Sequence, residues 1–298
     1  MQNRKLSFGN QKNERTFLIV AFLVVPLALL AVFSVFPTLR LVQMSFTDWD
    51  GMSKTFQWIG FKNYLRVFTD GDFVQVFLNN MAYVIIMLIQ AVVAFFLAIV
   101  LDGNIRGRNF FKSSIFMPYI LNGVAVAFIF NYLYNFENGP INLFLHSIGL
   151  GQYAIHFLSA GYSSNFSLAL IGMWRFTGLN LVIFLAGLQS IPRELYEAAS
   201  VDGAGFLHKV RYITIPNLMT TVELTLILGI NGALQAFYEP FVITKGGPNG
   251  MTDTFITRTW QIAFNFHNFG KAAALAVVLV LFILLMIRFQ RKMIKSEL

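Results

Sequence analysis

Long uncharged apolar runs alternate along this chain with short polar, basic or glycine- and proline-rich stretches. Residues 16–39, 73–101 and 113–136 contain no Asp, Glu, Lys or Arg. Each is long enough to cross the hydrocarbon core of a bilayer, which takes about 20 apolar residues. Three further apolar stretches carry isolated charges, among them Arg175 within 166–188, Glu223 within 218–240, and Lys271 at the edge of 271–289. Polar, proline-rich or glycine-rich sequence bounds each of them. The pattern predicts an all-α polytopic membrane protein with six spans near 16–39, 77–101, 113–136, 166–188, 218–240 and 271–289. Residues 16–289 form one transmembrane domain between a tail at 1–15, assigned no chemistry, and a second tail at 290–298.

Composition agrees, with 56% hydrophobic residues, 12% charged residues and a mean hydropathy of +0.64 over 298 residues. Sidedness follows from Lys and Arg, which stay cytoplasmic in short loops. With the N-terminus inside, the inner segments hold Arg4, Lys5, Lys12, Arg15, Arg106, Arg108, Lys112, Arg193, Lys209, Arg211, Arg288, Arg291, Lys292 and Lys295. The outer segments hold only Arg40, Lys54, Lys62, Arg66, Lys245 and Arg258. Both termini are therefore expected in the cytoplasm, and the span count is even. The net charge of +8 is explained by this topology and not by nucleic-acid binding, since no basic groove is formed. The first apolar run exceeds a signal-peptide core and lacks a clear small-residue cleavage site, so it is expected to be retained as a membrane helix. The chain has no Cys, which excludes disulfides, thiolate metal sites and thiol nucleophiles.

Residues 190–217 form a charged, small-residue island between the fourth and fifth spans, on the cytoplasmic side. Ser190 is an expected N-cap with Pro192 in the first turn. Leu195, Ala198 and Ala199 share a helical face beside Glu194 and Glu197. Asp202 is expected to interrupt this helix and cap a second one, with Gly203 and Gly205 at the corner. The result is a compact helix-turn-helix knob on which a partner can dock. On the opposite side, aromatic and acidic residues mix between 40 and 72, as an interfacial belt or as a landing surface for an external protein. The segment GPINLFLHSIGL within 137–164 reads as a short interfacial helix, and Lys245–Gly250 as a tight turn.

Polar residues within spans are candidates for a translocation pathway. Arg175 is either a cavity-facing donor or tie to a neighbouring helix, or a snorkelling side chain near the end of its span. Its depth makes an ion pair with Glu223 hard to build. Asn231 and Gln235, spaced i, i+4, with Tyr238 continuing the face, form a polar stripe suited to hydroxylated substrates. Gly229, Gly232, Ala233 and Ala236 form a small-residue stripe, read as close helix packing. Gln90 and Asn180 read as interhelical hydrogen-bond partners. His146, His156, His208 and His267 lie in separate loops and do not suggest a metal site. No paired carboxylates for acid-base chemistry share an apolar span. No Gly-x-x-x-x-Gly-Lys-Ser/Thr occurs, so no nucleotide site is expected in this chain.

Glu197-Ala198-Ala199, Asp202-Gly203-Ala204 and Ile213-Thr214-Ile215-Pro216 resemble the Glu-Ala-Ala loop of ATP-binding-cassette importer permeases. Trp174, Leu185–Pro192, Thr244–Pro248 and Phe269–Ala274 are similar to its carbohydrate-importing branch, the maltose, raffinose and multiple-sugar type. The resemblance implies a type I importer permease of the plasma (inner) membrane, itself not an enzyme, with no cofactor in this chain. It further implies a second, paralogous permease, an ATPase dimer carrying ATP and Mg, an extracytoplasmic sugar-binding protein and a sugar substrate. Glu197, Ala198, Ala199, Asp202, Gly203 and Ala204 would then couple to the ATPase, and Arg175, Asn231, Gln235 and Tyr238 would line the pathway. A self-sufficient ion-coupled transporter is the alternative, but it needs midplane carboxylates and inverted repeats that the chain does not display. A membrane-embedded enzyme is a third, disfavoured by the missing catalytic constellation.

Overall fold

The computed structural model describes residues 8–103, 105–159 and 162–295. Parts of both expected tails, 1–7 and 296–298, lie outside the described residues. Among the described residues the architecture is helical, with one isolated bridge between Thr47 and Trp58 and no strand. In chain order the helices are α1 (Phe8–Leu30), α2 (Phe36–Ser45), α3 (Lys62–Thr69), α4 (Asp72–Asp102), α5 (Arg108–Ile120), α6 (Gly123–Leu133) and α7 (Pro140–Ser147). They continue with α8 (Tyr162–Gln189), α9 (Arg193–Val201), α10 (Phe206–Lys209), α11 (Ile215–Asn217), α12 (Met219–Leu234), α13 (Phe255–Trp260) and α14 (Phe269–Lys295).

Among the described residues, four helical stretches are long and apolar enough to cross a membrane unbroken: Arg15–Ser45, Phe73–Asp102, Ser163–Gln189 and Phe269–Lys292. Two more qualify only as bent pairs, α5 with α6 at 98° and the 206–217 segment with α12 at 69°. The range 113–136 is thus not one straight helix. Pro118 lies in the last turn of α5, and Asn122 starts a new helix by accepting at Oδ1 from the Val124 and Ala125 amides at 2.9 and 3.4 Å. An absence of charge shows compatibility with lipid and is silent about such a break. Other boundaries shift as well. The first helix begins at Phe8, inside the expected tail, and reaches Ser45 because Leu39–Met44 are good helix formers. The fourth begins at Tyr162, the fifth stops at Leu234, and the last continues through 289 to Lys295.

The core is built on α4, which packs lengthwise against α8, with α12 packed against both and α14 against α12. Phe255, fully buried at the start of α13, lies between Phe73 and Phe282 at ring distances of 5.7 and 6.3 Å. Three buried asparagines make the polar joints that such a core requires. Asn79 Nδ2 donates to the carbonyls of Gly250 and Asp253 at 3.0 and 2.8 Å, Asn80 Nδ2 to Ala233 at 2.8 Å, and Asn165 Nδ2 to Met251 at 2.8 Å. Asn79 and Asn165 hold the 245–254 loop against α4 and α8, and Asn80 ties α12 to α4. The tight turn at Lys245–Gly250 is present, with positive φ at Lys245, Gly246, Asn249 and Gly250. The segment 136–155 folds around α7 as expected. Asn142 closes it by donating to Phe136 O and Ile155 O and accepting from Ile155 N. By contrast, the apolar window of the first helix has no residue buried within this chain.

Candidate functional site

The 190–217 island folds as a knob whose corner is set by its own sequence. Helix α9 ends at Val201, Gly203 takes φ +76°, and two backbone bonds close the end: Ala204 N to Ala199 O at 2.8 Å and Gly203 N to Ser200 O at 3.1 Å. This is a Schellman motif, and it requires a residue free to enter the left-handed region at its turning point. Asp202 is therefore the C-cap of α9 and does not cap the next helix, whose extended N-cap is Gly205. Nor does Ser190 cap α9. Its hydroxyl donates backwards to Gly187 O at 2.7 Å, and Pro192 occupies the N-cap.

Side chains lock the two arms of the knob together. Lys209 Nζ donates to Ser200 Oγ at 2.6 Å, Ser200 Oγ donates to Tyr196 O at 2.7 Å, and the Tyr196 hydroxyl pairs with Thr214 Oγ1 at 2.9 Å. Tyr196 also packs against the buried cluster that contains Leu188, Ile191 and Leu218, which roots the knob in the core beneath α8 and α12. Its outer surface is open. No residue of α9 is buried, Glu197 is exposed, and Val201, Phe206, Leu207 and Tyr212 are 88, 63, 76 and 67% exposed. A carboxylate and exposed apolar groups on one rigid helical corner are the composition of a protein-docking surface.

A second feature lies within the helices, where α4, α8 and α12 enclose a cavity of about 350 Å³. All four pathway candidates, Arg175, Asn231, Gln235 and Tyr238, line it. Asn231 and Gln235 are joined by a hydrogen bond from Nε2 to Oδ1. Tyr238 does not continue their face, because α12 stops at Leu234 with Gln235 as its C-cap and the chain re-enters a helical turn only at Tyr238. The break returns Tyr238 to the same cavity by another route. Arg175 lies half-buried near the middle of α8, which begins earlier than the sequence pattern implied, so the snorkelling reading fails. Its Nη2 donates to Leu121 O at 3.2 Å, and its guanidinium lies 5.1 Å from the Phe176 ring centre and 5.7 Å from that of Tyr238. Glu223 pairs elsewhere, with Arg291 at 3.2 Å.

The small-residue stripe divides. A Cβ at Gly229 would come within 2.6 Å of Met87 Sδ, as helix packing demands, whereas one at Gly232 would meet nothing within 4 Å and opens on the cavity. Gln90 and Asn180 are wall residues too, and Gln90 Nε2 has no partner, so the expected interhelical donor role is absent. Sequence reasoning missed Tyr83 and the buried Glu239, both in the wall. An acid at the outer end of an apolar run, preceding Pro240, was the available signal for Glu239.

A family model described as binding-protein-dependent transport system inner membrane component matches residues 90–296. The chain belongs to that family. Among its relatives, the probable ABC transporter permease protein YurN of Bacillus subtilis is 30% identical over 275 residues, covering 91% of this chain and 94% of that one. The diacetylchitobiose uptake system permease protein NgcF of Streptomyces coelicolor is 32% identical over 291 residues, covering 93 and 81%. In fold, a crystal structure of a bacterial ABC transporter involved in import of the acidic polysaccharide alginate aligns with a TM-score of 0.82 at 22% identity, over 96% of this chain and 98% of that one. This permease is accordingly a multi-pass inner-membrane component of an ABC transporter, and its knob and cavity are parts of one transport protein.

Proposed function

We propose that this permease translocates a sugar or oligosaccharide in an ATP-driven, binding-protein-dependent importer, and that it is coupled to a separate ATPase through the Glu197–Gly203 loop. One observation carries the reading: the knob is the covalent link between α8 and α12, two of the three helices that wall the cavity. At their foot these helices touch, since a Cβ at Gly187 would lie 2.7 Å from Leu218 Cδ2 and from Thr221 Oγ1. Higher up they part around the cavity. A force applied to the knob therefore changes the relation of the two walls, with the tight foot as fulcrum.

In this mechanism the ATPase dimer, which carries ATP and Mg, closes on hydrolysable nucleotide and grips α9. Glu197 supplies the charge, and Val201, Phe206 and Leu207 the apolar anchors. The locked pairs Lys209–Ser200 and Tyr196–Thr214 stop the knob from deforming, so closure is transmitted and not absorbed. A second permease completes the pathway, and the exposed Met52, Trp58 and Phe61 of the outer segment form a landing surface for the binding protein. Sugar transport is supported by the names of relatives, which include the multiple sugar-binding transport system permease protein MsmF of Streptococcus mutans, 29% identical over 263 residues. It is supported as well by a cavity that mixes amide, hydroxyl and aromatic groups, as sugar recognition requires.

The test is uptake by the whole complex in liposomes. Glu197→Ala is expected to lower both uptake and binding-protein-stimulated ATP hydrolysis at least tenfold, the effect of losing about 1.4 kcal/mol at the interface. Unchanged coupling in this variant, or sugar uptake by this permease without any ATPase, overturns the proposal.

A further inference from the structure

Tyr83 and Gln90 stand seven residues apart on α4, which sets them on one face about 10 Å apart along the axis. That face is the α4 wall of the cavity. Both side chains are more than nine-tenths buried, at 7 and 4% exposure. Neither the Tyr83 hydroxyl nor Gln90 Nε2 has a hydrogen-bond partner. Their neighbours on the same helix differ: Asn79 and Asn80, equally buried, place their amides on backbone carbonyls. Buried polar groups are nearly always paired, and an unpaired one calls for a reason such as a bound molecule. Glu239 is buried in the same wall, within electrostatic reach of both Tyr83 and Arg175.

We propose that Tyr83, Gln90 and Glu239 contact the substrate and read the hydroxyl groups of an uncharged sugar of two linked rings. The inference rests on the permease reading above and adds to it the α4 wall and the ligand class. The Tyr83 hydroxyl and the Gln90 amide donate to sugar oxygens, and Glu239 accepts from a sugar hydroxyl. The separation along α4 suits two rings better than one. So does the volume of about 350 Å³, equal to about a dozen waters at ~30 Å³ each. Arg175 and Glu239 are the base and the acid of the cavity lining, so their formal charges sum to zero, which suits a neutral ligand over an acidic one.

Saturation-transfer NMR on the purified whole complex in nanodiscs tests this with lactose, trehalose, diacetylchitobiose and, as the acidic probe, digalacturonate. The shape-preserving variants Tyr83→Phe and Gln90→Met remove only the polar ends, and unchanged thermal unfolding and ATPase co-purification check that they fold. The expected result is binding of at least one neutral probe, weakened at least tenfold in each variant, with digalacturonate weaker than that probe. Three results overturn the inference: no binding of any neutral probe, preference for digalacturonate, or neutral binding untouched in both variants. Failure of the permease reading itself is distinguishable, because it shows in the Glu197→Ala assay. A complex that imports by ATP hydrolysis yet binds sugar normally without Tyr83 and Gln90 polarity refutes this inference alone.

Discussion

Arg175 donates from Nη2 to the carbonyl oxygen of Leu121 across 3.2 Å, and Leu121 is the residue at which the third span turns between α5 and α6. Irregular backbone at membrane depth is tolerated only where protein or a watered cavity satisfies its polar groups. The charge in the middle of α8 and the break in the neighbouring span therefore explain each other. Arg175→Ala is expected to leave the Leu121 carbonyl unpaired at a cost of about 1–3 kcal/mol, seen as a lower unfolding temperature of the complex together with impaired uptake. Arg175→Lys keeps a charged donor but loses the planar fork and the ring stacking on Phe176 and Tyr238, so it should fall between wild type and Ala. A normal unfolding temperature in the Ala variant would contradict this account.

Gly203 offers a clean test of the knob's geometry, because a Cβ there would meet nothing within 4 Å while φ is +76°. Any effect of substitution is a backbone effect. A left-handed residue with a side chain costs about 1–2 kcal/mol, with Asn penalised least. ATPase subunits are thus expected to co-purify in the order wild type, Gly203→Asn, Gly203→Val. Equal recovery of the Val variant would show that the Schellman corner is not what presents Glu197.

These two sites show what a sequence discloses and what it hides. The Gly203 corner was legible because local residues impose it: small side chains, a carboxylate and a glycine at fixed spacing fold the same way whatever surrounds them. The spans were legible because apolar length is itself a physical requirement of the bilayer. The bend at Leu121 was not, since Pro118 and Asn122 within an uncharged run are equally consistent with a continuous, slightly kinked helix. It takes the Arg175 side chain, 54 positions away, to stabilise the break. Tyr83 and Glu239 were hidden for a similar reason. Each is unremarkable in its own stretch and becomes a wall residue only when α4, α8 and α12 meet. Asp202 misled in the other direction, because an Asp before Gly suits a helix start or a helix end, and the pairing of Ala204 with Ala199 decides it.

Gly232 separates transport from folding. Its side opens on the cavity with nothing within 4 Å, so a larger residue should be accommodated by the protein and felt by the ligand. Gly232→Leu is expected to leave thermal stability and ATPase association near wild type while cutting sugar uptake at least tenfold. Gly229→Leu, which would drive into Met87, should instead lower stability, by an amount in the range of about 1–3 kcal/mol typical of overpacking. Uptake unchanged in the Gly232 variant would exclude the cavity from the pathway.

On the outer face, Asp70 Oδ2 meets Lys271 Nζ at 2.7 Å and ties the segment before α4 to the start of α14. The Lys271 ammonium, by hydrogen bonding and charge, holds the Asp70 carboxyl below its ordinary value of 3.8. A depressed folded value means stabilisation that is complete above the ordinary carboxylate range and lost as pH falls through the folded value. The carboxylate is 48% exposed, so the link contributes less than about 1 kcal/mol. Asp70→Asn should then speed local hydrogen exchange of the neighbouring Gly270 amide, which donates to Trp49 O at 3.0 Å, when measured near neutral pH and low salt. The difference from wild type should shrink in about 1 M salt, where the screening length is only about 3 Å, and vanish in acid, where the wild-type carboxyl is protonated as well. Asp50, held at about 2 chiefly by the Ser53 amide, titrates with the same sign. Asp50→Asn serves as the control, because its ligands are backbone and hydroxyl groups and its effect should survive the added salt. An Asp70→Asn effect that persists in acid would mean that the contact acts through shape and not through charge.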